Sequence, residues 1–282
     1  MAVKIIIDSA SDFTKQQAEE LGFVFMPMTI TCEGKDYQDG VDLLPQDFYL
    51  LLQQSKELPK TSQITEYTYQ EEIKKIIDGG DEVVVLTISS KLSSTYNNAK
   101  RACDSFSGKA FAVDTLSACL GEKLIALYAM ELVKKGFSAE QIFKELEVKK
   151  SNVKVLAVID TLEYLKKGGR LSGMAMVVGS LLQIKPIISV LDGEVKNIGK
   201  TMGLKKGFNQ LIDMVKGLGG INFDYPYGII YSGNDKTNLE KFLLNAKELW
   251  EQDTLEPFKS QLGSTIGTHI GPGAIGIAFF TK

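Results

Sequence analysis

Three clusters in this 282-residue chain carry groups able to do chemistry. The densest is Ser89-Ser90-Lys91-Leu92-Ser93-Ser94-Thr95, which follows the apolar run Val83-Val84-Val85-Leu86-Thr87-Ile88 and precedes a helical pattern at Tyr96, Ala99, Lys100 and Cys103. A buried strand that breaks through hydroxyl residues into a helix sets free backbone N–H groups and the positive helix end beside several O–H donors. That is a place for an anion. A plain helix cap accounts for the same residues, since Ser and Thr are favoured there. The second cluster is His269, the only histidine, set in Gly263-Ser264-Thr265-Ile266-Gly267-Thr268-His269-Ile270-Gly271-Pro272-Gly273. So many glycines mean that the backbone turns sharply or lets something approach closely. The imidazole is either a structural hydrogen-bonder or, paired with Ser93, the base of a hydrolase. Against the hydrolase, Ser93 is not in a Gly-x-Ser-x-Gly elbow. The third cluster, Lys167-Gly168-Gly169-Arg170, looks like a phosphate loop only superficially, and neither Gly-x-Gly-x-x-Gly nor a P-loop follows the early strands. No paired His and no tight His/Asp/Glu cluster points to a metal, and no cofactor is expected. Hydroxyls, one imidazole and scattered lysines suit binding better than bond-making.

The elements that must position these groups alternate between strand and helix. Apolar runs at 3–7, 23–30, 83–88 and 109–113 read as strands, the first ending in Asp8-Ser9-Ala10-Ser11-Asp12. Helices are expected around Phe13 to Leu21, after Pro45, from 67 to 77, from 120 to 135 before Gly136, and after the capping box of Ser138 and Gln141. Residues 58–63 read as a loop. This half is a mostly parallel, doubly wound sheet, whose ligands sit beyond the carboxyl ends of the strands. Asp8-Ser9, Ser89 to Ser93 and Asp114-Thr115 are therefore expected to line one rim.

A boundary is placed at 151/152, giving an N-terminal domain of residues 1–151 and a C-terminal domain of residues 152–282. The second begins with a strand at 153–159 and a short helix capped by Thr161. A small-residue apolar helix at 171–182 follows, ended by Lys185-Pro186. Next come a strand at 187–191 and a hairpin turn at Asp192-Gly193 into a strand at 194–198. Helices at 205–218 and 236–250 flank a strand at 227–232, and 277–280 is a last strand. The fold class is thus α/β, with two α/β domains, the second a mixed sheet with helices.

Bulk properties narrow the function. With 44% hydrophobic and 24% charged residues the composition is ordinarily globular, and a net charge of −3 gives no footprint for nucleic acid. Cys32, Cys103 and Cys119 form no Cys-x-x-Cys pattern and read as free thiols in a reducing cytoplasm. The longest apolar tract, 174–182, is far below the ~20 residues needed to span a bilayer, so a soluble, cytoplasmic protein without a membrane span is expected.

Taken in order, Asp8-Ser9-Ala10-Ser11-Asp12, Tyr37-Gln38-Asp39-Gly40, Lys60-Thr61-Ser62-Gln63, Ser89 to Tyr96, Asp160-Thr161-Leu162-Glu163-Tyr164-Leu165-Lys166-Lys167-Gly168-Gly169-Arg170, Ile184-Lys185-Pro186 and Gly267 to Gly273 closely resemble the DegV family. The resemblance runs the length of the chain. It implies two α/β domains with a long-chain fatty acid held between them, in a protein that is not itself an enzyme. It further implies a role as the fatty-acid-binding subunit of a fatty acid kinase, whose separate catalytic subunit makes an acyl phosphate for phospholipid synthesis. By the same resemblance Thr61, Ser62 and Ser93 bind the carboxylate and His269 sits beside it. Arg170 would lie near the surface, facing the kinase or the acyl phosphate. A solvated face of Lys166, Lys167 and Arg170 is the alternative. Ser94 stands where the family usually has Gly, Ile270 where it often has Thr, and the stretch before Lys205-Lys206 lacks frequent arginines. An acyl tail needs an apolar tunnel. Its expected walls, at 174–182 and 120–132, would serve equally as ordinary core.

Overall fold

The structure, a computed structural model, describes residues 2–172, 183–251 and 256–282. Two short apolar strands, β1 (Val3–Asp8) and β2 (Val24–Met26), flank the capped helix α1 (Lys15–Glu20). A hairpin of β3 (Thr29–Cys32) and β4 (Lys35–Gln38) leads to α2 (Pro45–Gln54), β5 (Lys60–Ser62) and α3 (Glu66–Asp78). The half closes with β6 (Glu82–Thr87), α4 (Thr95–Asp104), β7 (Ala110–Asp114), α5 (Cys119–Lys134) and α6 (Ala139–Lys149). Its main sheet is wholly parallel in the order β2-β1-β6-β7, and β4-β3-β5 form a separate antiparallel sheet.

The second half runs β8 (Val153–Val158), α7 (Glu163–Lys167), β9 (Ile184–Leu191), β10 (Glu194–Met202), α8 (Leu204–Gly217), β11 (Gly228–Tyr231), α9 (Thr237–Asn245), β12 (Phe258–Gln261), α10 (Ser264–Ile270) and β13 (Ile275–Phe280). These strands make one mixed sheet in the order β10-β9-β8-β13-β11-β12, antiparallel except for β11 with β12. Strand alternation gives it two apolar faces. Val155, Ala157 and Ile159 join the core shared with the first half, whereas Leu156 and Val158 pack with Phe208 and Leu211 of α8. Helix α5 touches β1 and β6 of one sheet and β8, β11 and β13 of the other. Lying between two sheets, it is buried on more than one side, which explains its weakly amphipathic, Ala- and Leu-rich sequence.

Several sequence expectations change. The single strand at 23–30 is two, because Pro27 lacks an N–H and the Met28 amide donates to Ser9 Oγ instead; β2 and β3 belong to different sheets. The expected loop at 58–63 contains β5, which pairs with β3 through Ile30 and Thr61. Pro186 lies inside β9 rather than before it. Its nitrogen faces the side of β8, but pairing with β8 ends at Val158–Ile187, so no ladder bond is lost there, and its carbonyl accepts the Ile159 N–H. The helix at 236–250 is α9 followed by a separate 3₁₀ turn at Lys247–Leu249. Leu162 rather than Thr161 occupies the cap of α7, although the Thr161 hydroxyl accepts the Glu163 N–H. The expected helix at 171–182 lies largely outside the described residues. No helix among the described residues is long and apolar enough to cross a membrane.

The glycine-rich tail holds the largest change: residues 264–270 form a buried helix, α10. Its cap residue, Gly263, has no side chain, and the orphan amides are taken by the first half of the chain. Asp12 Oδ1 accepts the Gly263 N–H at 2.8 Å, and Asp39 accepts those of Ser264 and Thr265 at 3.0 and 3.1 Å. Burial pushes the Asp39 carboxyl upward, opposed by these bonds, and lifts Asp12 to about 8 against the pull of Lys123. Removing Asp39 leaves two buried N–H groups unpaired. We expect Asp39→Ala to cost about 2–4 kcal/mol of stability in urea unfolding and Asp39→Asn, which keeps one acceptor, to cost less. Equal, near-zero losses in both variants would contradict this capping.

Candidate functional site

Residues from both halves enclose a cavity of about 480 Å3. Its walls are apolar: Ala157 and Ile159 from β8, Ile188 and Val190 from β9, and Ile266 and Ile270 from α10. Ala118 and Cys119 contribute from the start of α5, whereas residues 120–132 do not line it. Leu120, Leu124, Ile125 and Ala129 are core, which corrects one of the two expected walls. The other, 174–182, lies outside the described residues.

Thr61, Ser62, Ser93, Arg170 and His269 all reach this cavity. Thr61 is held by the β3–β5 pairing, Ser93 precedes α4, and His269 is in the last turn of α10. The Thr61 hydroxyl lies 3.1 Å from His269 Nε2. Nδ1 is buried without a partner, and a Cβ on Gly168 would collide with it, so the ring packs directly on the α7 backbone. A proton on Nδ1 would be an unsatisfied buried donor. The proton therefore belongs on Nε2, donating to Thr61 and leaving the Thr61 O–H free for a ligand. Burial, with the Arg170 charge adding to it, lowers the His269 pKa to about 4, so the ring is neutral at pH 7.

Ser93 is not activated by this imidazole. Its Oγ accepts the Thr95 N–H at 3.2 Å and lies 2.9 Å from Thr95 Oγ1. With His269 bonded to Thr61 instead, the nucleophile–base pair of a hydrolase is not formed. Ser94 occupies the cap position of α4 without a side-chain capping bond, so the local cap comes from Ser93. Arg170 is half-buried rather than freely solvated: Nε donates to the Leu92 carbonyl at 3.1 Å and Nη1 to the Gly168 carbonyl at 2.7 Å. Lys166 and Lys167 are exposed, and Lys167 pairs with Glu163.

The rest of the expected rim is used structurally. Asp8 is buried and accepts the amides of Ala10 and Ile88, Asp114 accepts that of Ser90, and Thr115 donates to the Thr87 carbonyl. The Ser89 hydroxyl donates to the Gly193 carbonyl at 2.7 Å, fastening the β9–β10 turn over the loop after β6. Gly193 has a φ of +82°, and a Cβ there would strike Ser89 Oγ. Sequence reasoning missed the anchors of α10. Asp12 and Asp39 stood inside quoted motifs, but their partners are more than 200 residues away. An apolar chamber ending in neutral hydroxyls, a neutral imidazole and one guanidinium suits a long apolar ligand with a small anionic head.

Fold and site define an α/β protein with an enclosed apolar cavity closed by polar groups. The chain matches the family model described as "Uncharacterised protein, DegV family" over residues 2–282. It is 34% identical over 284 residues to a DegV domain-containing protein of Caldanaerobacter subterraneus subsp. tengcongensis, covering 99% of both chains. Among solved structures, a DegV family protein from Thermus thermophilus described as binding fatty acid is 29% identical, with a TM-score of 0.88 and complete coverage of both chains. DegV from Bacillus subtilis, described as a fatty acid binding protein, is 28% identical with a TM-score of 0.85, again covering both chains fully. The chain belongs to the DegV family.

Because His269 is the only histidine, its titration is a single resolved signal. An unperturbed imidazole titrates near pH 6.5, whereas this ring should titrate near pH 4. Between those values the unfolded chain takes up a proton that the folded one refuses, so this group withdraws stability as pH falls from about 6.5 to about 4. Buried Asp8, raised to about 7, acts in the opposite sense, so NMR of the imidazole is the cleaner readout. A midpoint near 6.5 in the folded protein would contradict the desolvated, partner-held ring.

Proposed function

We propose that this protein binds a long-chain fatty acid, with the acyl chain in the apolar cavity and the carboxylate against Thr61, Ser62, Ser93 and His269. The observation that carries this reading is the cavity's asymmetry: aliphatic walls with polar groups gathered at one end. Burying each CH2 contributes ~0.8 kcal/mol, so a C16 chain supplies on the order of 10 kcal/mol before ordering costs. The tail then provides most of the affinity and the hydroxyls select the head. A carboxylate accepting O–H and N–H bonds near a half-buried guanidinium is stabilised without a full ion pair. The fatty acid binding described for the Thermus thermophilus and Bacillus subtilis proteins supports the same assignment.

In this reading the site lies between domains 1–151 and 152–282, and the protein has no catalytic residues of its own. It presents the bound carboxylate to the catalytic subunit of a fatty acid kinase, with Arg170 facing that partner or the acyl phosphate it makes. The Thr61–His269 bond and the Thr95-bonded Ser93 Oγ support a binding rather than a hydrolytic role.

Native mass spectrometry of protein purified from bacteria should reveal a co-purified C14 to C18 fatty acid. The Thr61→Ala/Ser93→Ala variant should keep its fold and bind palmitate about tenfold more weakly, as expected for two lost hydrogen bonds to a charged group. Delipidated wild type that fails to bind fatty acids, or unchanged affinity in the double variant, would contradict the assignment.

A further inference from the structure

Thr61, Arg170 and His269 also line a second cavity, of about 730 Å3, on the far side of the wall they form. Its charged lining is Lys56, Lys60, Lys167 and Arg170 against one acid, Glu57. The sign is local, because the whole chain carries a net charge of −3. Lys167 is neutralised by Glu163 at 2.5 Å, and Arg170 already donates to two carbonyls. Lys56 and Lys60 have exposed side chains without an ion-pair partner among the described residues.

A monoanionic carboxylate held by hydroxyls and an imidazole on the first side of the wall does not call for this charge. A group with about two negative charges and three acceptor oxygens does, and a phosphate monoester at neutral pH has both. We propose that this vestibule is a phosphoryl subsite: it holds a phosphoryl group attached to the head of an amphiphile whose chain occupies the apolar cavity. The inference rests on the fatty-acid reading and extends it from the carboxylate to a larger, more highly charged head. Arg170 stands at the junction and contributes directional N–H donors. Lys56 and Lys60 contribute mobile point charges at the open side. The same chemistry would accept a phosphoryl group arriving free, so the two sources need separate arms.

Delipidated full-length protein is titrated with palmitate, with the non-hydrolysing analogue hexadecyl phosphate, and with inorganic phosphate. Wild type is compared with Lys56→Ala/Lys60→Ala. Hexadecyl phosphate should bind wild type at least as tightly as palmitate. The double variant should lose about tenfold for hexadecyl phosphate and less than about twofold for palmitate, and added salt should shrink the difference by screening. Lysine-dependent binding of inorganic phosphate alone would assign the subsite to a free phosphoryl source; dependence seen only with hexadecyl phosphate assigns it to the head group. Affinities for both phosphates that do not change in the double variant overturn the subsite, while normal palmitate binding in the same series leaves the fatty-acid reading intact. Wild type that binds neither palmitate nor hexadecyl phosphate overturns both.

Discussion

The arrangement depends on how one short buried helix is capped. Helix α10 has seven residues, begins at a glycine and carries His269 in its last turn. Left alone, its first amides would be buried without partners, a cost that a short segment cannot offset by its own hydrogen bonds. Asp12 and Asp39 supply the missing acceptors from loops near the other end of the chain. Both carboxyls are buried, and Lys123 beside Asp12 donates to the Asp12 carbonyl and to Ser260 Oγ, tying the second sheet into the same network. The halves are therefore joined by polar bonds that must all be satisfied, besides the apolar core they share.

Positioning of the site follows from that joint. Once α10 is fixed, His269 meets Thr61 on a strand of the small sheet and packs against Gly168 on α7, so three segments distant in sequence meet at one wall. The wall divides two environments of opposite character. One side is aliphatic and answers to chain burial; the other is cationic and answers to charge. Keeping His269 neutral matters to both, because a charged imidazole beside Arg170 would be repelled and desolvated at once.

Periodicity made much of the fold legible. The parallel strands announce themselves as β-branched runs, α6 by its Ser138–Gln141 capping box, and the β9–β10 turn by Asp192-Gly193. Expectations failed where a nonlocal partner overrode a local signal. The glycines around His269 read as loop because the residues that cap α10 lie more than 200 positions away. Lys60 to Ser62 is a strand only because Thr29 to Thr31 offers it an edge. The apolar stripe of α5 looked like a cavity wall and is core, since a helix between two sheets buries its sides whether or not a ligand is near. Hydroxyls around Ser93 were visible as a group, but their division of labour was not. Ser89 fastens a hairpin, Ser93 bonds to Thr95, and Thr61 takes the imidazole.

The most direct measurement of the central claim is a crystal structure of the protein with palmitate bound. The account predicts that the chain fills the space between β8, β9 and α10, with a carboxylate oxygen within about 3 Å of the Thr61 and Ser93 hydroxyls. Density elsewhere, or a chain running with its methyl end at His269 and its carboxylate away from Thr61, would contradict it.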